Sequence, residues 1–308
     1  GKLTLDHVVI KNSTAAGPGG GLMFSDATGD LIVKNSTIDG NSVTDVGANG
    51  AGGGLSVFAQ DVTISNSTIS NNTSAGFYGG GGALSGSSSI VITNTTVAGN
   101  SAGNAGVASG GGGGLSISNG ATIVNTTIAN NAWVGGNSVN NGGGGLSVFN
   151  TSSNSVLTNN IIANNTSTNS NFSDNDVIVT HTGTISGSNN LITTTVGLHY
   201  SAANNLTSTQ TSLGSALGSL AFNGGPVKTI SIAAGSNAIG NGIAAGAPTT
   251  DARGLGRGAS TDIGAYEFSD NNTVDFTGVV SPNTGAIDVP ANHNLSIEFG
   301  TPVSAVAA

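Results

Sequence analysis

Short aliphatic and β-branched runs alternate with polar residues along most of the chain. The pattern recurs as "VKNSTIDGN" at Asn35, "ISNSTISNN" at Asn66, "ITNTTVAGN" at Asn94, "IVNTTIANN" at Asn125 and "LTNNIIANN" at Asn159. Alternation with a period of two predicts half-buried strands, and no stretch carries the apolar stripe of a helix. Each run ends within a few residues at clustered Gly, Asn, Ser or Thr, which predicts three short strands per unit separated by tight corners. The units are spaced by 31, 28, 31 and 34 residues, with a weaker copy at Asn12 before them and "SGSNNLI" with Asn189 after. A three-strand unit of about thirty residues is one turn of a parallel β-helix, whose strands pair with their counterparts about 4.8 Å above. The expected fold is all-β: a right-handed parallel β-helix of about seven or more rungs, the hand following from the crossover preference. Residues 1–195 hold the repeats, 196–268 the terminal rungs and a capping segment, and 269–308 a linker with incomplete strands.

In such a solenoid a column of the repeat alignment becomes a ladder in space. Ile38, Ile69, Val97, Ile128 and Ile162 form one inward apolar stack. Leu22, Leu55, Leu84, Leu115 and Leu146 form a second, joined two positions on by Phe24, Val57, Ile117 and Val148. Two asparagine columns flank the strand between the corners: Asn35, Asn66, Asn94, Asn125 and Asn159, then Asn41, Asn72, Asn100, Asn131 and Asn165. Asparagine suits a corner because it tolerates a left-handed backbone and its amide can both donate and accept between rungs. The resulting N-x-S/T triplets are therefore read as ladder positions rather than glycosylation sites.

Glycine precedes each apolar strand in "PGGGLMF", "AGGGLSVF", "GGGGALSG", "GGGGGLSIS" and "NGGGGLSVF". One copy alone resembles a phosphate cradle, but no helix follows and no Lys accompanies it. Five copies mark a corner where the chain re-enters a stacked strand and needs unusual dihedrals and close backbone approach.

Composition narrows the function further. The 308 residues include 51 glycines and no cysteine, only 7% are charged, and six basic against fifteen acidic residues give a net charge of −9. That balance repels nucleic acid and anionic lipid surfaces, so neither is an expected partner. No apolar run is long enough to span a bilayer as a helix, so no membrane insertion is expected of this segment. From Val62 to Ser173 there is no Asp, Glu, Lys, Arg or His. Acid and base catalysis need such groups, so the central rungs are expected to be non-catalytic.

The remaining chemistry sits toward the ends. Asp6, His7 and Asp39 lie at one, and Asp174, Asp176, His181 and His199 at the other; "SDNDV" makes Asp174 and Asp176 candidate calcium ligands, although the Gly and Glu of a full calcium loop are missing. No other cofactor is expected. The hydroxyl column Thr37, Thr68, Thr96 and Thr127, beside Ser36, Ser67, Thr95 and Thr126, reads as outward and raises ice or carbohydrate binding. Strand propensity alone also accounts for it. Phe77, Tyr78 and Trp133 fall in variable loops before the glycines, as candidate glycan contacts or as covers for the glycine backbone. Asp251, Arg253, Arg257, Asp262 and Glu267 are expected to form capping ion pairs, with a catalytic Arg and carboxylate arrangement as the alternative.

The segment "NGGPVKT…GSNAIGNG…DARGLGRGASTDIGAYE" resembles the terminal motif of the bacterial choice-of-anchor Q family, whose members carry β-helix repeats before a D-x-R-G…R…D-I-G-A-x-E ending. The match rests on Asp251, Arg253, Gly254, Arg257, Asp262, Ile263, Gly264, Ala265 and Glu267. Gly240 departs from it, standing where the family has an acid. Residues 279–308 are similar to the opening strands of a bacterial Ig-like domain. The resemblance implies a secreted or cell-surface bacterial protein. The sequence thus points to a non-catalytic stalk, adhesin or fibre element whose partners are other copies of itself, surface or matrix components, or glycans. A head-to-tail filament and a polysaccharide-binding or polysaccharide-degrading protein are the alternatives.

Overall fold

A computed structural model describes residues 1–268 apart from 48–49, 105, 107–109, 137–142, 151–153, 169–175, 182, 195 and 199–202. The segment 269–308, with its expected Ig-like strands, lies outside the described residues. Gly1–Glu267 form one compact unit. Among the described residues there are strands and no helix, and the strands stack in parallel as a β-solenoid.

Three parallel sheets run the length of the solenoid, holding twelve, seven and six of the described strands. The first is built from long strands such as Leu55–Ser65 and Gly82–Thr93, whose alternating burial puts Leu55, Val57, Ala59, Val62 and Ile64 inside. In the next turn Asn119 (φ 72°) and Gly120 (φ 82°) bend the long strand into two pieces, Leu115–Ser118 and Thr122–Val124. Each turn therefore contributes a first strand with a bend, a three-residue second strand such as Thr68–Ser70 and a two-residue third strand such as Thr73–Ser74. Ile38, Ile69, Val97, Ile128 and Ile162 are direct register partners in the second sheet and are buried, as the repeat predicts.

Two positions of the repeat differ from their predicted register. Leu84 pairs with Val57 and Ile117, so it belongs to the column of Phe24 and Val148, while Gly82 holds the place of Leu55 and Leu115. A slip of two residues keeps every side chain on its face, so the apolar pattern is blind to it. Asn12 follows Lys11, the partner of Asp39, and so stands at the second corner beside Gly40. The first corner of that turn is His7, next to Asp6, the partner of Lys34.

The chain beyond Thr207 does not simply close the last turn. After an antiparallel pair, Leu217–Ala221 with Thr229–Ile232, it runs back along the outer face of the second sheet as a strap. Ile230, with Leu217 and Leu220, packs on Ala98 and Ala129, which are small enough to let the strap approach. Thr68 Oγ1 donates to the Lys228 carbonyl (2.5 Å), and Gly264 N donates to the Asn159 carbonyl (2.7 Å). Three of the four hydroxyl positions are consequently buried, Thr68 and Thr96 at 0% exposed and Thr127 at 1%, while Thr37 is half-buried. The column is not a free face for ice or carbohydrate, because apolar burial of Ile230 and hydrogen bonds from the strap occupy it.

Candidate functional site

The corner residues organise the rest of each turn. His7, Asn35, Asn66, Asn94, Asn125, Asn159 and Asn189 take φ between 46° and 56° at the first corner. Asparagine bears this left-handed conformation at least cost among residues with a side chain. At the second corner the left-handed residue is Gly40, Asn71, Gly99, Asn130 or Asn164, one position before the ladder asparagine. The ladder asparagines are thus free of backbone strain and turn inward.

Inside, the second column forms an unbroken amide ladder. Asn41 Nδ2 donates to Asn72 Oδ1 (3.0 Å), Asn72 to Asn100 (3.0 Å), Asn100 to Asn131 (2.9 Å), Asn131 to Asn165 (2.9 Å). Each Nδ2 also donates to a carbonyl of the previous turn, as Asn100 does to Ile69 (2.9 Å), and each Oδ1 also accepts a backbone N–H, as Asn100 Oδ1 does from Asn72 (2.9 Å). Two donors and two acceptors per amide are all engaged, which is what burial of a polar group requires.

The glycines belong to the same device. Gly52 has φ 67°; a Cβ on Gly54 would lie 2.5 Å from the Gly81 carbonyl oxygen and 2.9 Å from Asn72 Cγ. Gly21, Gly81, Gly114 and Gly145 face Asn41, Asn100, Asn131 and Asn165 in the same way. The triplet therefore lets the chain turn and leaves room for the ladder beside it.

Asp176 ends this ladder. It is fully buried; its Oδ1 accepts from Asn165 Nδ2 (2.8 Å) and N (3.3 Å), and its Oδ2 from Thr193 Oγ1 (2.8 Å) and Thr194 N (2.9 Å). Four donors surround the carboxylate, the opposite of the lone pairs a cation needs, so the calcium reading of Asp176 is corrected to a ladder terminus. Asp174 and His199 lie outside the described residues. Among the described residues no cluster of acidic, His or Cys side chains is arranged for a metal.

A second inward ladder escaped the sequence reading. Val8 N donates to Ser36 Oγ (3.0 Å), Ser36 N to Ser67 Oγ (3.1 Å), Thr126 N to Asn160 Oδ1 (2.9 Å) and Asn160 N to Asn190 Oδ1 (3.0 Å). Its signal was available: Thr37 and Ile38 alternate outward and inward, so Ser36 must share the inward side with Ile38.

The first asparagine column links turns at Asn94 Nδ2 to Asn66 Oδ1 (3.1 Å) and Asn159 Nδ2 to Asn125 Oδ1 (3.2 Å), and it also serves the strap. Asn94 Nδ2 donates to the Thr250 carbonyl (2.7 Å), Asn125 Nδ2 to that of Asp262 (3.0 Å), and Asn159 exchanges bonds with Ile243 (2.8 Å each). Within the strap Arg253 Nε reaches Asp251 Oδ2 (2.7 Å) and its guanidinium lies 3.7 Å over the Tyr266 ring. Arg257 reaches Glu267 Oε2 (2.9 Å) and, on the solenoid, Asn94 Oδ1 (2.9 Å). Asp262 Oδ1 accepts from Gly240 N (2.7 Å), and Glu267 accepts from Gly258 N and Asp262 N. Burial pulls the Arg257 guanidinium below its ordinary value, against the opposing charges of Glu267, Asp251 and Asp262. Two ion pairs, Arg253 with Asp251 and Arg257 with Glu267, are present within the strap, and Arg257 also ties the strap to Asn94 on the flank of the solenoid. Arg253 is engaged by the Asp251 carboxylate and the Asn223 and Glu267 carbonyls, and Arg257 by the Glu267 carboxylate, the Gly264 carbonyl and the Asn94 amide oxygen.

The three aromatic candidates separate. Trp133 is fully buried, packed with Ala102 and the half-buried Phe77 beneath Gly103 and Gly135, so its reading as an exposed glycan contact is corrected: it covers glycine backbone. Phe77 leans on that cluster. Tyr78 alone faces a cleft, and its partner there is Phe149, with ring centroids 5.4 Å apart and planes at 87°. Phe149 was missed because the repeat marks it only as a strand residue.

These features define the class: a parallel β-solenoid with buried amide ladders and a lateral strap. The chain matches no family model, no curated protein and no solved structure in the comparisons made with them.

Proposed function

We propose that this chain is a non-catalytic, stiff stalk or fibre element within a secreted bacterial cell-surface protein, working through mechanical strength and surface contact. The observation that carries the proposal is the ladder from Asn41 to Asp176, which passes through a stretch, Val62 to Ser173, without a single Asp, Glu, Lys, Arg or His. The amides of the ladder are consumed in holding turns together, and the side chains that most often transfer protons are missing from these turns. Placement at a bacterial surface rests on the likeness of residues 251–267 to the choice-of-anchor Q ending. The partners that fit are further copies of the chain, matrix components and glycans.

The test is a panel of soluble polysaccharides incubated with the purified protein and assayed for new reducing ends and unsaturated products. No turnover is expected on any of them. Depolymerisation that survives repurification would overturn the non-catalytic role.

A further inference from the structure

The outward face of the first sheet carries a cleft that neither the ladders nor the strap uses. Strand alternation turns Ser56 and Phe58 outward between the inward Leu55, Val57 and Ala59. Register then lines up Ser56, Ala83, Ser116 and Ser147 as one outward row and Phe58, Ser85, Ser118 and Phe149 as the next. A cavity of about 260 Å³ opens over Ser56, Ala83, Ser85, Ser116 and Ser118, with the rings of Tyr78 and Phe149 against it. Tyr78 is held in place: its backbone bridges to Ala51 and Gly111, and Gly52 N donates to its carbonyl (2.9 Å). The wall therefore exists before any ligand arrives.

Three properties select the occupant. The floor offers the hydroxyls of Ser56, Ser85, Ser116 and Ser118. The wall offers an edge-to-face aromatic pair. Every lining residue is uncharged, so nothing would neutralise a carboxylate or sulfate. A sugar ring combines an apolar C–H face with a rim of hydroxyls and matches both surfaces. The outward row continues through Ser118 and Ser85 to Phe58, which is 48% exposed, three turns and roughly 14 Å from Phe149. We infer that this cleft binds a neutral glycan chain laid across the turns, with Tyr78 and Phe149 stacking on one sugar and the serine rows bonding its neighbours. The inference goes beyond the stalk role and does not depend on it.

Affinity electrophoresis and calorimetry of the purified chain with a neutral β-glucan, a xylan and a galactomannan, and with anionic polygalacturonate, provide the test. At least one neutral polymer is expected to bind, and Tyr78→Ala and Phe149→Ala to weaken it at least tenfold. Ser85→Gln fills the floor without touching the core and should do the same in a protein whose circular dichroism is unchanged. Phe222→Ala, at an exposed ring on the strap, should leave binding intact. Binding of the anionic polymer alone, no binding to any neutral polymer, or binding that persists in both Tyr78→Ala and Ser85→Gln would overturn the site. Turnover of a bound polymer would sink the stalk role while leaving the site standing.

Discussion

The two asparagine columns look interchangeable in the repeat yet do opposite work. Asn66 and Asn94 accept a left-handed backbone and present their amides outward, where Asn94 meets Thr250 and Arg257 of the strap. Asn72 and Asn100, six residues on, delegate the left-handed turn to the residue before them and give all four hydrogen-bonding positions to the turns above and below. One column supplies the left-handed turn together with an outward amide, the other an inward amide without the turn. What decides is the side of the sheet a side chain faces after the corner. The same residue type is a surface anchor in one place and a structural strut in the other.

The sharpest way to break this comparison is to remove one amide from each column. Asn100→Leu strips partners from the buried Asn72 N and Nδ2, the Ile69 carbonyl and Asn131 Oδ1. It should cost about 4 kcal/mol in urea unfolding, since each orphaned buried group costs about 1–3 kcal/mol. Asn66→Gly keeps the left-handed turn and should cost about 1 kcal/mol or less. Equal costs would mean that the columns are equivalent after all.

Arg257→Met asks how far the outer column and its strap are separable from the inner ladder. It leaves the buried Glu267 without its pair and Asn94 Oδ1 without the guanidinium. A loss of about 3 kcal/mol is expected, the usual cost of breaking a buried pair. It should appear as strap release, seen as new proteolytic cleavage between residues 210 and 267 while fragments from the ladder turns stay intact.

Asp176→Asn gives the inner ladder a terminus of the wrong chemistry. An amide in place of the carboxylate turns an N–H toward Thr194 N, which also donates. A loss of about 1–2 kcal/mol is expected, read as a lowered Tm. Unchanged or higher stability would remove Asp176 from the role of terminus.

The smallest effect is at Asp6, on the exposed continuation of the outer column. Hydrogen bonds from Asn35 and Lys34 hold its carboxyl below the ordinary 3.8. Because the folded value is lowered, any stability it contributes is present above pH 3.8 and is lost as pH falls through the folded value. An NMR titration should show a midpoint below 3.8 that moves back toward it in Asn35→Ala. A midpoint unmoved by that substitution would detach Asp6 from the column.

Much of this was legible in the sequence, and the failures share a cause. The solenoid, the isoleucine stack and both asparagine columns follow from spacing alone, because register in a solenoid is repetition. Leu84 and Asn12 were misplaced because both misalignments are locally self-consistent. A two-residue slip preserves facing, and "Asn12-Ser13-Thr14" repeats the "Asn35-Ser36-Thr37" phrase since each corner wants a left-handed residue followed by a polar one. The strap was recognised as charged and paired, but its place along the flank depends on contacts such as Ile230 on Ala98 and Ala129, more than a hundred residues apart. Trp133 and Tyr78 read alike as loop aromatics. Only the packing of Trp133 under Gly103 and Gly135 separates them.

Native-state hydrogen exchange tests the central claim most directly. The backbone amides of Asn72, Asn100 and Asn131 each donate to the next asparagine side chain inside the solenoid. They should exchange only through global unfolding, whereas the strap amides of Ile243 and Gly264, bound to Asn159 at the outer column, should exchange through a lower-energy partial opening. Ladder amides that exchange as fast as the strap, or before it, would contradict the account.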